Sequence, residues 1–170
     1  MPAHREAGNN QFAYMPTVIS NTPVGLVPQE LFKEEKTREY WNVLSQNQYQ
    51  EHIGVDHLEY SFLLYPKPQD VETIHEITLM YNNLKNRSPK SIDAICLDVY
   101  ENDFNLLVLK DMNLMLAGYF HFNTKEDIVY HLANVSQHFF EDLSQITYYY
   151  KQLSPKILHF LEDFFEMQQL

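Results

Sequence analysis

The sequence predicts an α/β protein in which a mixed sheet is flanked by helices. Three observations carry that reading. Apolar runs of strand length, separated by short polar turns, fill residues 92–122. Apolar side chains recur at helical spacing between Ile74 and Leu84 and again between Ile128 and Leu143. The 170-residue chain is 45% hydrophobic and 14% aromatic, enough for a sizeable core and against wholesale disorder.

Taken in order, residues 1–11 are polar and aperiodic and are expected to form a flexible tail. Phe12 to Ile19 reads as a strand, and Ser20–Pro23 (SNTP) as a turn. Pro28 suits the first turn of a helix, where its missing N–H costs nothing. Phe32, Tyr40, Val43 and Leu44 would line one face of that helix through about residue 45, before the polar loop SQNQYQEH. A strand follows from Leu58 to Tyr65, stopped by Pro66 and Pro68. Asp70 is placed to cap the next helix, whose apolar stripe is Ile74, Ile77, Tyr81 and Leu84. KNRSPKS, beginning at Lys85, is the best candidate boundary in the chain.

The most legible stretch comes next. Strands are expected over Ile92–Tyr100, Phe104–Leu109 and Leu114–Phe122, with a turn at Lys110–Asn113. Thr124 and Asp127 resemble a capping box, and the helix behind them would bury Ile128, Leu132, Val135, Phe139 and Leu143. A short strand (QITYYY) and a last helix opened by Ser154-Pro155 complete the order.

Composition excludes several functions. A net charge of -11 repels nucleic acid and anionic lipid, and Lys85, Arg87 and Lys90 are the nearest approach to a basic cluster. No nucleic-acid partner is therefore expected. The single cysteine, Cys96, lies in an apolar run and reads as a buried structural thiol. No apolar run reaches the roughly 20 residues of a membrane span, and the N-terminal residues lack a signal peptide's apolar segment. The expected location is the cytoplasm.

A three-strand meander, a crossing helix, then a strand and a helix is the core order of an actin-like (ribonuclease H-like) lobe. GLVPQELF (from Gly25), LVLKDMNLMLAGYFHFNTKEDIVYHLANV (from Leu107) and the T-x-E-D-x-x-Y run at Thr124–Tyr130 sharpen this. Over roughly residues 22–150 the chain resembles an uncharacterised bacterial family with the actin-like ATPase fold. That family is distantly similar to the actin-like cytoplasmic domains of pilus and secretion assembly proteins. The resemblance implies a reduced or degenerate actin-like fold, with a tail over 1–11, a reduced N-terminal lobe over 12–90 and an actin-like C-terminal lobe over 91–170.

In nucleotide-binding proteins of that fold a strand, an aspartate and a tight hairpin hold the phosphates of ATP. Asp98, in ICLDVYENDFNLLVLK (from Ile95), occupies the matching place. It is a candidate ligand for water-bridged Mg²⁺, or a strand-end aspartate capping a turn. The residues after it, Val99, Tyr100 and Glu101, lack the glycine a phosphate cradle needs. The place of the fold's adenosine-packing glycine pair reads TYYYKQLSP, also without glycine. Asp127, His131, Asn134, His138 and Glu141 form a polar helical stripe, but histidines seven apart lie about 10 Å apart along the axis and cannot chelate one ion together. No metal and no cofactor are expected.

The last helix carries apolar residues over roughly 180° of its wheel, which points to burial between two layers or to docking, with Phe160, Phe164 and Phe165 as candidate contacts for a protein partner or a second copy. The reading is thus a non-catalytic scaffold or interaction module. The alternatives are an ATP-binding protein with unconventional phosphate loops, and a metal-dependent enzyme using the His131/His138 face.

Overall fold

The computed structural model describes residues 16–46, 50–87 and 92–170. The chain runs β1 (Thr17–Ile19), β2 (Gly25–Pro28), a 3-10 turn leading into α1 (Thr37–Leu44), β3 (Ile53–Leu58), β4 (Ser61–Pro66), β5 (Thr73–His75) and α2 (Glu76–Arg87). It continues with β6 (Ala94–Val99), β7 (Asp103–Lys110), β8 (Asn113–His121), α3 (Lys125–Phe139), β9 (Thr147–Tyr150), α4 (Pro155–Leu161) and β10 (Met167–Gln169).

The second half forms a five-stranded mixed sheet in the order β10-β9-β6-β7-β8. β6, β7 and β8 are an antiparallel meander, while β9 joins β6, and β10 joins β9, in parallel. Every residue of β6 and all of Phe104–Leu109 in β7 are buried, which is why these strands read as continuous apolar runs. Alternation still assigns the faces. Ile95, Leu97, Leu106 and Val108 pack with Ile128 and Leu132 of α3 and Leu161 of α4. Ala94, Cys96, Leu107 and Leu109 turn the other way, onto Ile77, Met80, Tyr81 and Leu84 of α2 and onto Leu58, Leu63 and Tyr65. Cys96 is fully buried as expected, and burial pushes its thiol pKa upward.

The meander turn at Asp111-Met112 has both residues at positive φ, 51° and 65°, the conformation of a two-residue hairpin turn matched to strand twist. The capping box also forms. The Asp127 carboxylate accepts from the Thr124 backbone N–H at 2.9 Å, and from the Asn123 N–H at the same distance.

The first half differs more from the sequence reading. Gly25–Pro28 is not a helix start but a strand that, among the described residues, forms the edge of its sheet against β4, where a proline withholds no ladder hydrogen bond. α1 begins nine residues after Pro28, and its anchor is Trp41, 1% exposed, with Val27 and Leu64 around it. Val43 is 79% exposed, so the expected face is displaced. The single strand expected at Leu58–Tyr65 is a hairpin, β3 and β4, turning at Glu59-Tyr60 without a glycine to announce it. Asp70 does not cap a helix: it has φ 54°, and β5 intervenes before α2. β5 pairs in parallel with β1 through Ile19↔His75. The part of the expected first strand before residue 16, the tail, and residues 88–91 of the boundary lie outside the described residues.

One correction concerns the C-terminus. The expected long apolar helix ends at Leu161, and Met167–Gln169 adds instead to the sheet as β10. The broad apolar arc was a helix and a strand read on one wheel. Phe165 packs on Tyr148 with ring centroids 4.7 Å apart, and Tyr148 and Tyr149 are buried.

Candidate functional site

The two parallel strand pairs converge on one place. The last registered partners of β1 and β5 are Ile19 and His75, and those of β6 and β9 are Leu97 and Tyr150. The next residue on each strand is Ser20, Glu76, Asp98 and Lys151 respectively. Between β6 and β9 the strand order reverses, with the meander on one side and the β9–β10 crossover on the other. Open α/β sheets place their ligand crevice at the carboxyl ends of strands at such a switch point.

Asp98 is 1% exposed there and Glu76 5%. The Lys151 ammonium forms an ion pair with Glu76 Oε1 and lies 3.8 Å from Asp98 Oδ2. Tyr100 donates its hydroxyl to Asp98 Oδ2 at 2.9 Å and accepts from Asn105 Nδ2 at 3.1 Å. Burial raises the pKa of Asp98, against the opposing pull of Tyr100 and Lys151. Burial likewise raises the Tyr100 phenol, with the Asp98 charge adding to it and the Ser20 hydroxyl opposing it. Asp98 Oδ1 and Asn105 Oδ1 are both buried without a hydrogen-bond partner among the described residues.

A cavity of about 490 Å³ opens beside this network, lined by Val99, Tyr100 and Glu101 of the hairpin and by Gln152, Leu153, Ser154 and Ile157. Its volume is within the range of small-molecule sites. In its hairpin wall the Val99 and Tyr100 N–H groups donate to the Gln152 and Asp103 carbonyls, so they are not free to face a phosphate as in a cradle.

A separate buried cluster braces the first half. Asp56 accepts from the Tyr65 hydroxyl at 2.8 Å, the His75 backbone N–H at 2.7 Å and the Thr78 hydroxyl at 2.7 Å. His75 Nδ1 accepts from the Ile77 N–H at 3.1 Å, so Nε2 carries the ring proton and donates to Thr22 Oγ1 at 3.2 Å. The candidate metal face on α3 is distributed differently. Asp127 caps its helix, and the His131 ring packs 5.1 Å from Phe120 and 5.6 Å from Phe104. Among the described residues no group of three or more His, Cys, Asp or Glu is arranged to hold a metal.

The model of a protein family of unknown function, DUF3822, matches residues 4–146. The chain belongs to the DUF3822 family. Among solved structures, this DUF3822 protein is similar to a Bacteroides thetaiotaomicron protein of unknown function with an actin-like ATPase fold. The TM-score is 0.73 at 16% identity, over 90% of this chain and 66% of that one. The DUF3822 chain thus spans just under two thirds of its neighbour's length, and the likeness establishes an actin-like fold. An AlfA filament bound to AMPPNP matches at TM-score 0.43 and 13% identity, over 91% of this chain and 51% of that one. No curated protein matches. No helix among the described residues of the DUF3822 chain is long and apolar enough to cross a membrane.

Sequence reasoning found Asp98 but missed the residues it meets. Glu76 and Lys151 carry no local motif, and the only signal available was that each immediately follows a strand. Asn105 lies directly opposite Asp98 in the β6–β7 register, which a committed hairpin alignment would have exposed. Phe164 is 56% exposed and Phe160 lies 5.3 Å from it, edge to face, with the Lys125 ammonium 3.8 Å over the Phe160 ring.

Proposed function

We propose that this protein is a non-catalytic scaffold or protein-interaction module on a degenerate actin-like fold. The observation that carries the reading is the Lys151–Glu76–Asp98 network at the strand ends. Where nucleotide-binding proteins of this fold hold phosphates, two buried carboxylates and a tyrosine stand, and the nearby ammonium is engaged by Glu76. A triphosphate entering there would meet the buried Glu76 carboxylate, whose lysine is already paired to it, and would have to break the Tyr100–Asp98–Asn105 hydrogen bonds. The partner surface is assigned to Phe160 and Phe164, with Phe165 anchoring it from below. The net charge of -11 favours a protein over nucleic acid as that partner.

The cavity beside Tyr100 supports a second reading, in which a nucleotide binds through unconventional loops. Thermal unfolding with and without Mg-ATP separates the two, since a bound ligand stabilises the folded state and an unbound one does not.

A further inference from the structure

Two acceptor oxygens, Asp98 Oδ1 and Asn105 Oδ1, are buried without a donor among the described residues, and a buried unsatisfied acceptor carries a desolvation penalty. They are not independent. Asp98 and Asn105 are direct register partners on β6 and β7, so their side chains leave the same face of the sheet about 5 Å apart at Cβ. The Tyr100 hydroxyl already bridges their other atoms, Asp98 Oδ2 and Asn105 Nδ2. The charge count points the same way. Two buried carboxylates, Glu76 from α2 and Asp98 from β6, face one ammonium, Lys151 at the end of β9, and that ammonium is in contact with Glu76. One negative charge is left over, and one donor is missing.

We propose that Asp98 carries a proton on Oδ1 in the folded protein and donates it to Asn105 Oδ1, so that the strand-end network is a proton-dependent lock. A single proton supplies the missing donor, satisfies both orphan acceptors and removes the uncompensated charge. The groups facing the lock are Glu76, Lys151, Tyr100 and, one turn of the pleat back on β6, the buried thiol of Cys96. Of these, the acidic Glu76 raises the affinity of Asp98 for its proton, while Lys151 and Tyr100 lower it; burial is the largest influence and raises it. The sign follows. A carboxyl that holds its proton more tightly folded than unfolded contributes most at low pH, and that contribution is lost as pH rises from the unfolded carboxyl range through the folded one.

The test is Asp98→Asn in the full chain, which places an N–H where the acid places its O–H. The folding constant of Asp98→Asn relative to wild type is expected to rise with pH, by up to about tenfold per pH unit above pH 4 until the folded-state titration is complete. A ratio independent of pH, or a variant whose deficit grows with pH, overturns the proposal. A carbon-13 titration of the Asp98 carboxyl in the wild-type protein decides the matter if the variant does not fold. A carboxyl that titrates above the ordinary aspartate range supports the lock, and one that titrates at or below that range overturns it.

Discussion

Lys151, the first residue beyond β9, is ion-paired with the buried Glu76 at the start of α2, 75 positions earlier in the chain. The pair ties the two halves of the protein together at the strand ends, and Asp98 lies within 3.8 Å of the same ammonium.

Replacing Lys151 by Met removes the cation that is paired with the buried Glu76 carboxylate. Breaking a fully buried pair costs about 3–5 kcal/mol, and solvent reaching the 37%-exposed lysine reduces this to roughly 2–3 kcal/mol. Urea denaturation measures it. Adding Glu76→Gln to Lys151→Met should recover part of the loss, and a double-mutant cycle with no coupling would contradict the pairing.

His75 is fully buried, and its burial pushes its pKa down to about 4. A histidine whose folded pKa lies below the unfolded value of about 6.5 contributes stability above that value. The contribution is lost as pH falls from 6.5 towards 4, amounting to roughly 3 kcal/mol over the window. Denaturation curves between pH 7 and pH 4.5 should therefore converge for wild type and His75→Gln, with wild type the more stable at neutral pH. Parallel curves would show that the imidazole titrates normally.

At Gly54 a Cβ would lie 2.3 Å from Tyr65 Cε2. The ring cannot swing away without breaking the hydrogen bond its hydroxyl donates to Asp56 and the one it shares with the Thr73 hydroxyl. Gly54→Ala should cost about 2–3 kcal/mol through overpacking, measured as a lower denaturation midpoint. The same change made together with Tyr65→Leu should be milder than the two losses summed.

Phe164 and Phe165 should separate surface from core. Phe164→Asp is expected to shift stability by no more than about 0.5 kcal/mol, since the ring is 56% exposed, while abolishing any self-association seen by sedimentation. Phe165→Ala removes the ring packed on Tyr148 and should cost about 2 kcal/mol in a monomer of unchanged size. Unfolding by Phe164→Asp would place that ring in the core and withdraw it as a partner contact.

What the sequence discloses depends on how each signal is carried. The β6–β7–β8 meander was legible because β6 and β7 are buried on both faces, β8 is long, and the three are separated by short polar turns. The capping box at Thr124 was legible because it is local. The β3–β4 hairpin was not, because Glu59-Tyr60 makes the turn without glycine, proline or asparagine, and buried Asp56 breaks the apolar alternation. The C-terminal strand was hidden because Phe164, Phe165 and Met167 fit a helical wheel as readily as a turn and a strand. Of the site, Asp98 was visible as a strand-end acid, but Glu76 and Lys151 come together only through tertiary pairing of strands.

The most direct measurement of the central claim is thermal unfolding of the full chain in millimolar Mg-ATP and in Mg²⁺ alone. A nucleotide at 100 times its dissociation constant adds about 2.7 kcal/mol, which for a chain of this size raises the midpoint by roughly 5–10 °C. With the strand ends filled by Asp98, Glu76 and Lys151, the two midpoints should coincide. A nucleotide-dependent rise that Asp98→Asn or Lys151→Met abolishes would contradict the account and make this crevice a nucleotide site.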